Sequence, residues 1–200
     1  MKVIFVQNNA IEVDALSECV AVLRSGGIVC YPTETFYALG VDPQNQTAMQ
    51  KLHVLKRRPS EKDLPLIAAD AAMVEAFCDT VDLRYKILSD RFWPGPLTLV
   101  LPSADHSLFY AIRVSSNPVA RCISRLFGRP VISTSANRSG EQPVSNPDDL
   151  PDDLVERIGV LVNSGSMPGG APSTIVSLLE TPARILREGA IPSTQVLSIL

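Results

Sequence analysis

Ten residues, at positions 31–40, decide the fold expected for this chain: Tyr31-Pro32-Thr33-Glu34-Thr35-Phe36-Tyr37-Ala38-Leu39-Gly40. They follow an apolar run, Gly27-Ile28-Val29-Cys30, that is typical of a buried strand. Pro32 has no N–H to donate, so it should end the hydrogen-bond ladder of that strand. Polar side chains then lie just beyond the carboxyl end of a strand, where open α/β sheets bind their ligands. The residues alone leave a plain polar turn as an open alternative.

Composition favours an ordinary globular protein. The chain has 200 residues, of which 46% are hydrophobic and 20% charged, so it can bury a sizeable core, and one domain over residues 1–200 is expected. The net charge of -3 argues against a globally basic nucleic-acid binder, while a local basic patch stays open. No apolar run approaches the roughly 18–20 residues that cross a bilayer, and the N-terminus lacks a signal-peptide pattern. We therefore expect a soluble, cytoplasmic protein.

The cysteines and histidines do not form a metal-binding pattern. The two histidines, His53 and His106, stand alone, which argues against a zinc site and a histidine-based triad. The cysteines are far apart in apolar settings, so buried free thiols are expected rather than a disulfide framework. They are Cys19, Cys30, Cys78 and Cys122.

Strands and helices alternate along the chain without an internal repeat, which predicts one α/β domain with a mixed sheet. Strands are expected near 2–6, 28–31, 65–68, 97–101, 111–114, 131–134, 159–163, 174–179 and 184–187. Helices are expected near 11–25, 47–57, 71–78, 83–92, 118–127 and 152–157, and from 193 onward. The residues expected to cap helices are Thr47, Asp70, Asp82 and Asn117. Residues 138–151 hold three prolines and many polar residues, so a loop or lid is expected there.

Several polar clusters each follow an apolar strand or helix. They are Thr33-Glu34-Thr35, Lys56-Arg57-Arg58, Arg113, Ser133-Thr134-Ser135-Ala136-Asn137, and the weaker pair Ser173-Thr174 with Arg187. Cations combined with hydroxyls and amides favour an anion site. Each cluster also has a structural alternative: cations stabilise a helix C-terminus, and serines often end strands. Arg113 lies within an apolar strand and needs a partner if it is buried. Neither GxxxxGK[ST] nor GxGxxG occurs, so those two phosphate-binding loops are absent from the sequence.

Together these stretches resemble the YrdC/Sua5 family, the threonylcarbamoyl-AMP synthases. The resemblance runs from about residue 10 to residue 192 and rests on PTETFYALG, Lys56-x-Arg58, WPGPLT, AIRV, STSAN with Ser139-Gly140, and the late GG, PSTIV and ILREG stretches. The Lys-x-Arg and Ser-x-Asn pairs are specific in combination. The resemblance implies a single-domain short form with a YrdC-like twisted mixed sheet, flanked by helices, around a large, concave, positively lined cavity.

The resemblance also implies a reaction and its partners. L-threonine, bicarbonate or CO2, and ATP with Mg2+ would give threonylcarbamoyl-AMP and pyrophosphate. A partner transferase complex would then use this product to make N6-threonylcarbamoyladenosine at position 37 of tRNA. Family members have also been linked to tRNA or double-stranded RNA. An RNA-binding module and a non-catalytic nucleotide-binding paralogue of the same fold therefore remain alternatives.

Site residues follow from the same resemblance, and no protein metal ligand is among them. L-threonine would be held by Thr33, Arg113 and Ser173. ATP would be held by Lys56, Arg58, Ser133, Ser135, Asn137, Ser145 and Arg187, with Lys56 and Arg58 also catalytic. The sequence departs from the family pattern at Ala38, Ala69, Phe109 and Glu188, where many members carry glycine, histidine, threonine and proline respectively.

Overall fold

The computed structural model describes residues 1–6, 13–57 and 64–200. Its strands are β1 (Lys2–Phe5), β2 (Ile28–Pro32), β3 (Tyr37–Gly40), β4 (Leu66–Ala68), β5 (Leu97–Pro102), β6 (Phe109–Val114), β7 (Val131–Ile132), β8 (Thr134–Ser135), β9 (Ile158–Asn163), β10 (Thr174–Ser177) and β11 (Arg184–Arg187). Its helices are α1 (Val13–Arg24), α2 (Gln46–Lys56), α3 (Ala71–Phe77), α4 (Leu83–Phe92), α5 (Pro118–Phe127), α6 (Asp152–Val155) and α7 (Ser193–Leu197), with one 3-10 turn at Pro147–Asp149. Arg58, the polar loop at 60–63 and the expected start of the first helix lie outside the described residues.

The strands form two mixed sheets. The first sheet has the order β1-β9-β2-β3-β8, and the second has the order β11-β10-β5-β6-β4-β7. Parallel and antiparallel pairs occur in both. The expected mixed α/β fold is confirmed, but the expectation of one sheet was wrong.

The chain passes from the second sheet to the first within residues 131–135, and this crossing explains why a single sheet was expected. The run 131–134 was expected to be one strand, yet it divides at Ser133. Its first half, β7, pairs with β4 in the second sheet, and β8 pairs with β3 in the first. The Ser133 N–H donates to the carbonyl of Pro65 at 2.8 Å, which continues the register of β7 with β4, and the next residue, Thr134, already pairs with Leu39 of β3. The polar STSAN stretch therefore lies where the two sheets meet.

Residues 28–40 form a β-hairpin of β2 and β3. The second strand of this hairpin, β3, was not expected from the sequence. Pro32 is the last residue of β2, as predicted, and pairs with Tyr37 across the turn. All four residues of β3 are buried, so the strand lacks the alternation by which strands are recognised. Gly40 is required here, because a Cβ atom on it would lie 2.6 Å from the ring of Tyr31. The hairpin presents its polar turn at the end of the first sheet.

Three of the four expected helix caps are confirmed. Asp70, Asp82 and Asn117 each accept a backbone N–H in the first turn of the helix that follows. Thr47 was the wrong cap: Asn45 caps α2, with its side-chain oxygen 2.9 Å from the backbone nitrogen of Ala48. Asn and Thr are both favourable N-cap residues, so the residue types alone do not decide whether α2 begins after Asn45 or after Thr47.

Two buried apolar clusters hold this arrangement together. One packs α1 and α5 against the first sheet and against β4 and β7 of the second, with Leu16, Leu23 and Ile123 fully buried. The other draws on both sheets, with Leu39 and Leu99 fully buried. All four cysteines are free thiols and three are buried. No helix in the described ranges is long and apolar enough to cross a membrane.

The cap of α3 gives a testable pH dependence. The Asp70 carboxylate accepts from Met73 N at 3.0 Å, and this bond, with help from Arg125, lowers the pKa of Asp70. Because the folded pKa lies below the usual value of about 3.9, the stabilisation is complete above that value and is lost as pH falls through the folded pKa. We expect Asp70→Ala to lose about 1 kcal/mol at pH 7 and Asp70→Asn much less.

Urea unfolding at neutral and acidic pH checks this. The difference between wild type and Asp70→Ala should shrink in acid. A difference that stays constant down to the acid limit of folding would contradict the assignment.

Candidate functional site

A cavity of ≈ 350 Å³ lies between the turn of the β2–β3 hairpin, the Ser133–Ser135 crossing and one face of the second sheet. Side chains from β5, β6, β10 and β11 line that face. Most of the polar clusters that the sequence analysis placed after apolar strands therefore contribute side chains to this one cavity. This supports a ligand site over the alternative of unrelated surface turns.

Strand register places the cavity's two arginines at opposite ends of one row. Ile175 pairs with Arg187 on one side and with Thr98 on the other. Continuing the β5–β6 register from its Leu99 pair sets Thr98 opposite Arg113. The arginines are thus three strands apart, or roughly 14 Å between Cα atoms at the usual strand spacing. Hydroxyl and apolar side chains occupy the space between them.

Arg113 forms a buried ion pair with Glu34. Its NH1 donates to Glu34 Oε1, and the side chains are only 12% exposed on each side. Burial, and secondarily the charge of Arg187, lower the pKa of Arg113 to about 10, so the guanidinium stays charged at neutral pH. Its Nε and NH2 have no hydrogen-bond partner among the described residues. The arginine that needed a partner has one and keeps further donors at the cavity.

Arg187 is held by neutral groups. It donates to the carbonyl of Ser173 from Nε at 3.0 Å and from NH2 at 2.8 Å, and NH2 lies 3.0 Å from Ser173 Oγ. The Ser173 hydroxyl is in turn 2.8 Å from that of Thr98. Burial lowers the pKa of Arg187. Within the described ranges no carboxylate pairs with it, so its charge faces the cavity uncompensated by an acid.

The hydroxyl groups at the hairpin turn and at the crossing differ in whether they already form a hydrogen bond within the protein. Ser133 Oγ is buried and has no hydrogen-bond partner of normal geometry in the described part of the chain, although it lies close enough to Tyr31 to affect that residue's pKa. An unpartnered buried hydroxyl facing a cavity indicates a ligand or water there. Thr33 donates its proton to Phe36 O at 2.7 Å and thereby closes its own turn. Thr35 lines the cavity as well and has no such bond through its hydroxyl.

Lys56 ends α2 and lies directly behind the crossing. Its side chain is buried, and Nζ donates to Ser135 O at 2.6 Å, Asn137 O at 2.8 Å and Asn137 Oδ1 at 3.3 Å. Asn137 Nδ2 donates to Glu141 O at 2.6 Å. A solvated helix end, the alternative for this lysine, does not describe a buried ammonium. Lys56 instead fixes the backbone that presents Ser135 to the cavity and places a positive charge beside it.

Most of the expected site residues come together. Those that line the cavity are Thr33, Arg113, Ser133, Ser135, Ser173 and Arg187. Lys56 and Asn137 lie behind Ser135. Ser145 does not line the cavity; its carbonyl accepts from Met167 N at 2.8 Å. Arg58 lies outside the described residues.

Sequence reasoning missed two site features. Thr98 lines the cavity, and its signal was a lone hydroxyl residue inside the buried apolar strand Leu97–Pro102. The pairing of Glu34 with Arg113 joins residues 79 apart in sequence, so no local pattern could indicate it.

The electrostatics suit a ligand with two anionic groups. Arginines stand at both ends, Lys56 lies behind one wall, and no carboxylate is among the described residues that line the cavity. The described residues also contain no cluster of three or more His, Cys, Asp or Glu side chains that could hold a metal ion.

Comparison with known proteins gives consistent matches. The Sua5/YciO/YrdC family profile, described as "Telomere recombination", matches residues 21–189. The threonylcarbamoyl-AMP synthase of Bacillus subtilis (strain 168) is 32% identical over 194 residues, covering 92% of this chain and 56% of that protein.

Solved structures agree. The crystal structure of P. abyssi Sua5 complexed with L-threonine superposes with a TM-score of 0.91 at 28% identity, covering 100% of this chain and 61% of that one. E. coli YciO superposes with a TM-score of 0.86 over the full length of both chains, at 22% identity, which speaks to the fold alone. This chain thus spans 56% of the length of the synthase and 61% of that of the archaeal structure.

Proposed function

Because this chain belongs to the Sua5/YciO/YrdC family, we propose that it makes threonylcarbamoyl-AMP and pyrophosphate from L-threonine, bicarbonate or CO2, and ATP. The observation that carries the proposal is the cavity with the largely buried Arg113 at one end, Arg187 at the other, hydroxyls between them and no lining carboxylate among the described residues. Such a site suits a reaction that joins two anions. The synthase and the threonine-bound Sua5 among its relatives support the choice of substrates.

Threonine would occupy the Arg113 end. A guanidinium with two unpartnered nitrogens matches a carboxylate in bidentate geometry. The linked hydroxyls of Thr98, one strand away, and Ser173, at the start of the strand beyond it, suit the substrate's own polar groups. Thr33 would contribute by holding the turn that forms this end of the cavity.

The nucleotide would occupy the other wall. Ser133 and Ser135 face the cavity from the crossing, Arg187 faces it from the far end of the strand row, and Lys56 with Asn137 supports Ser135 from behind. We also propose phosphate contacts for Arg58 and closure over the nucleotide by Ser145, as the family resemblance implies. ATP would enter as its Mg2+ complex, with the metal carried by phosphates and water, because no carboxylate is among the described residues that line the cavity.

Two bond-forming steps follow from these positions. The neutral amine of threonine attacks the carbon of CO2, loses a proton and becomes a carbamate. A carbamate oxygen then attacks the α-phosphorus of ATP, and the bond to the β-phosphate oxygen breaks to release pyrophosphate. Carbamate and triphosphate repel one another, so the main contributions of the protein are cations that screen both and walls that align them.

The product is a mixed anhydride that water hydrolyses, so an acceptor must consume it promptly. We propose that it passes to a transferase complex that modifies N6 of an adenosine in tRNA. The related synthases motivate this destination.

Pyrophosphate release tests the function. We expect release from MgATP only when L-threonine and bicarbonate are both present. Release without either substrate would indicate a plain ATP pyrophosphohydrolase. No release from a folded protein that binds ATP would favour a nucleotide-binding paralogue, and salt-sensitive RNA binding without turnover would favour an RNA-binding module.

A further inference from the structure

Glu34 lies beside the cavity and accepts a hydrogen bond at each of its two carboxylate oxygens. Oε1 accepts from Arg113 NH1 and Oε2 accepts from the hydroxyl of Ser115, which is fully buried. Glu34 is not itself among the residues that line the cavity. Its carboxylate therefore acts on the cavity through the arginine it holds.

The turn that carries Glu34 is also bonded to Asn117, which lies just beyond β6 of the second sheet. Asn117 Nδ2 donates to Thr33 O at 3.2 Å, and the backbone N–H of Asn117 donates to Ser115 Oγ at 3.1 Å. Asn117 is also the N-cap of α5. The hairpin of the first sheet is thus tied to the end of β6 and the start of α5, with Glu34 in the centre of these bonds.

This anchoring limits how Arg113 can point. An arginine side chain has several rotatable bonds, and ordering it only when a ligand arrives weakens binding. With NH1 fixed on Glu34, the Nε and NH2 nitrogens are left without a protein partner among the described residues. They are the donors available for a carboxylate in the cavity.

We propose that Glu34 is a positioning residue for the amino-acid substrate: it holds the Arg113 fork in the orientation that receives the substrate carboxylate. The inference rests on the proposed function and names a residue that sets affinity for threonine without touching it. The opposite role is a carboxylate that competes with the substrate for Arg113, in which case removing its charge would tighten threonine binding.

Calorimetric titration of Glu34→Gln with L-threonine, and separately with MgATP, decides between these roles. We expect the threonine Kd to rise about tenfold, the loss that follows when one long side chain must be ordered on binding. The Kd for MgATP should change less than about twofold by the same scale. In turnover, the KM for threonine should rise while kcat at saturating threonine stays near the wild-type value. Unchanged or tighter threonine binding would overturn the proposal.

Matched variants separate positioning from general destabilisation. Asp42→Asn removes a similarly buried carboxylate from the pair it forms with Arg129, outside the cavity lining, and should leave both Kd values unchanged. Glu34→Gln should have no further effect on threonine binding in an Arg113→Lys background, and additive losses would overturn the proposal. Ser115→Ala removes one bond from the carboxylate and should weaken threonine binding several-fold, which provides a test if Glu34→Gln does not fold.

Failure of this inference is distinct from failure of the proposed function. Wild-type protein that binds threonine normally, together with a Glu34→Gln variant that binds it equally well, refutes the role of Glu34 alone. Wild-type protein that binds no threonine refutes both.

Discussion

Lys56→Met abolishes adenylate formation, with an expected fall in kcat of about 10²–10³-fold or more, the range seen when one preorganised donor is removed from an active site. The lysine donates to three oxygens of Ser135 and Asn137 and so fixes the backbone between them. Its charge also lies beside the wall proposed to hold the triphosphate. Methionine keeps most of the length of the side chain but supplies neither the donors nor the charge.

Stability must be measured together with turnover for this variant. The carbonyls of Ser135 and Asn137 lose a donor, which costs about 1–3 kcal/mol, so pyrophosphate release should be assayed below the lowered Tm. Lys51→Met is the matched control, because Lys51 lies one and a half turns earlier on the same helix and bonds Gly26 O at 3.2 Å, away from the cavity. It should keep wild-type turnover. A folded Lys56→Met variant that retained more than a tenth of wild-type turnover would contradict the role of Lys56.

Arg113→Lys raises the KM for threonine about 10²-fold and leaves the KM for ATP nearly unchanged. Lysine preserves the charge and can still pair with Glu34, but it lacks the planar fork that binds a carboxylate through two parallel bonds. Retaining a cation also avoids leaving the buried Glu34 carboxylate without a partner, which would cost several kcal/mol. The expected loss is therefore one of recognition rather than of folding.

Steady-state kinetics with each substrate varied in turn checks this prediction. Arg129→Lys is the matched control, since Arg129 pairs with Asp42 outside the cavity lining and the same change there should alter neither KM. An Arg113→Lys variant with a wild-type KM for threonine, or one that loses ATP affinity instead, would place the amino acid elsewhere.

Local sequence signals predicted the elements of this fold better than their pairing. Asp70, Asp82 and Asn117 cap the helices they were expected to cap, because a short polar side chain before an apolar helical pattern has few other uses. The division of residues 131–134 into two strands at Ser133 could not be predicted from such local signals. Both halves have strand character, and only tertiary pairing assigns them to different sheets.

The site shows the same limit. Arg113 stood out as a cation inside an apolar strand, and the family resemblance linked it to Ser173 and Arg187 far along the chain. The partner of Arg113 could not be inferred, because the Glu34 contact depends on how a hairpin of one sheet meets a strand of the other. Thr98 had a weak signal of its own that only the strand register turned into a cavity residue.

The most direct measurement follows the carbon of bicarbonate. Wild-type protein is incubated with MgATP, L-threonine and either unlabelled or 13C-labelled bicarbonate, and the products are separated promptly and weighed by mass spectrometry. We predict a species with the combined mass of threonine, CO2 and AMP less one water, which gains the mass of a single labelled carbon and does not form when threonine is omitted. If pyrophosphate is released but AMP is its only nucleotide co-product, with no labelled adenylate at any time, the assignment of this chain as a threonylcarbamoyl-AMP synthase is contradicted.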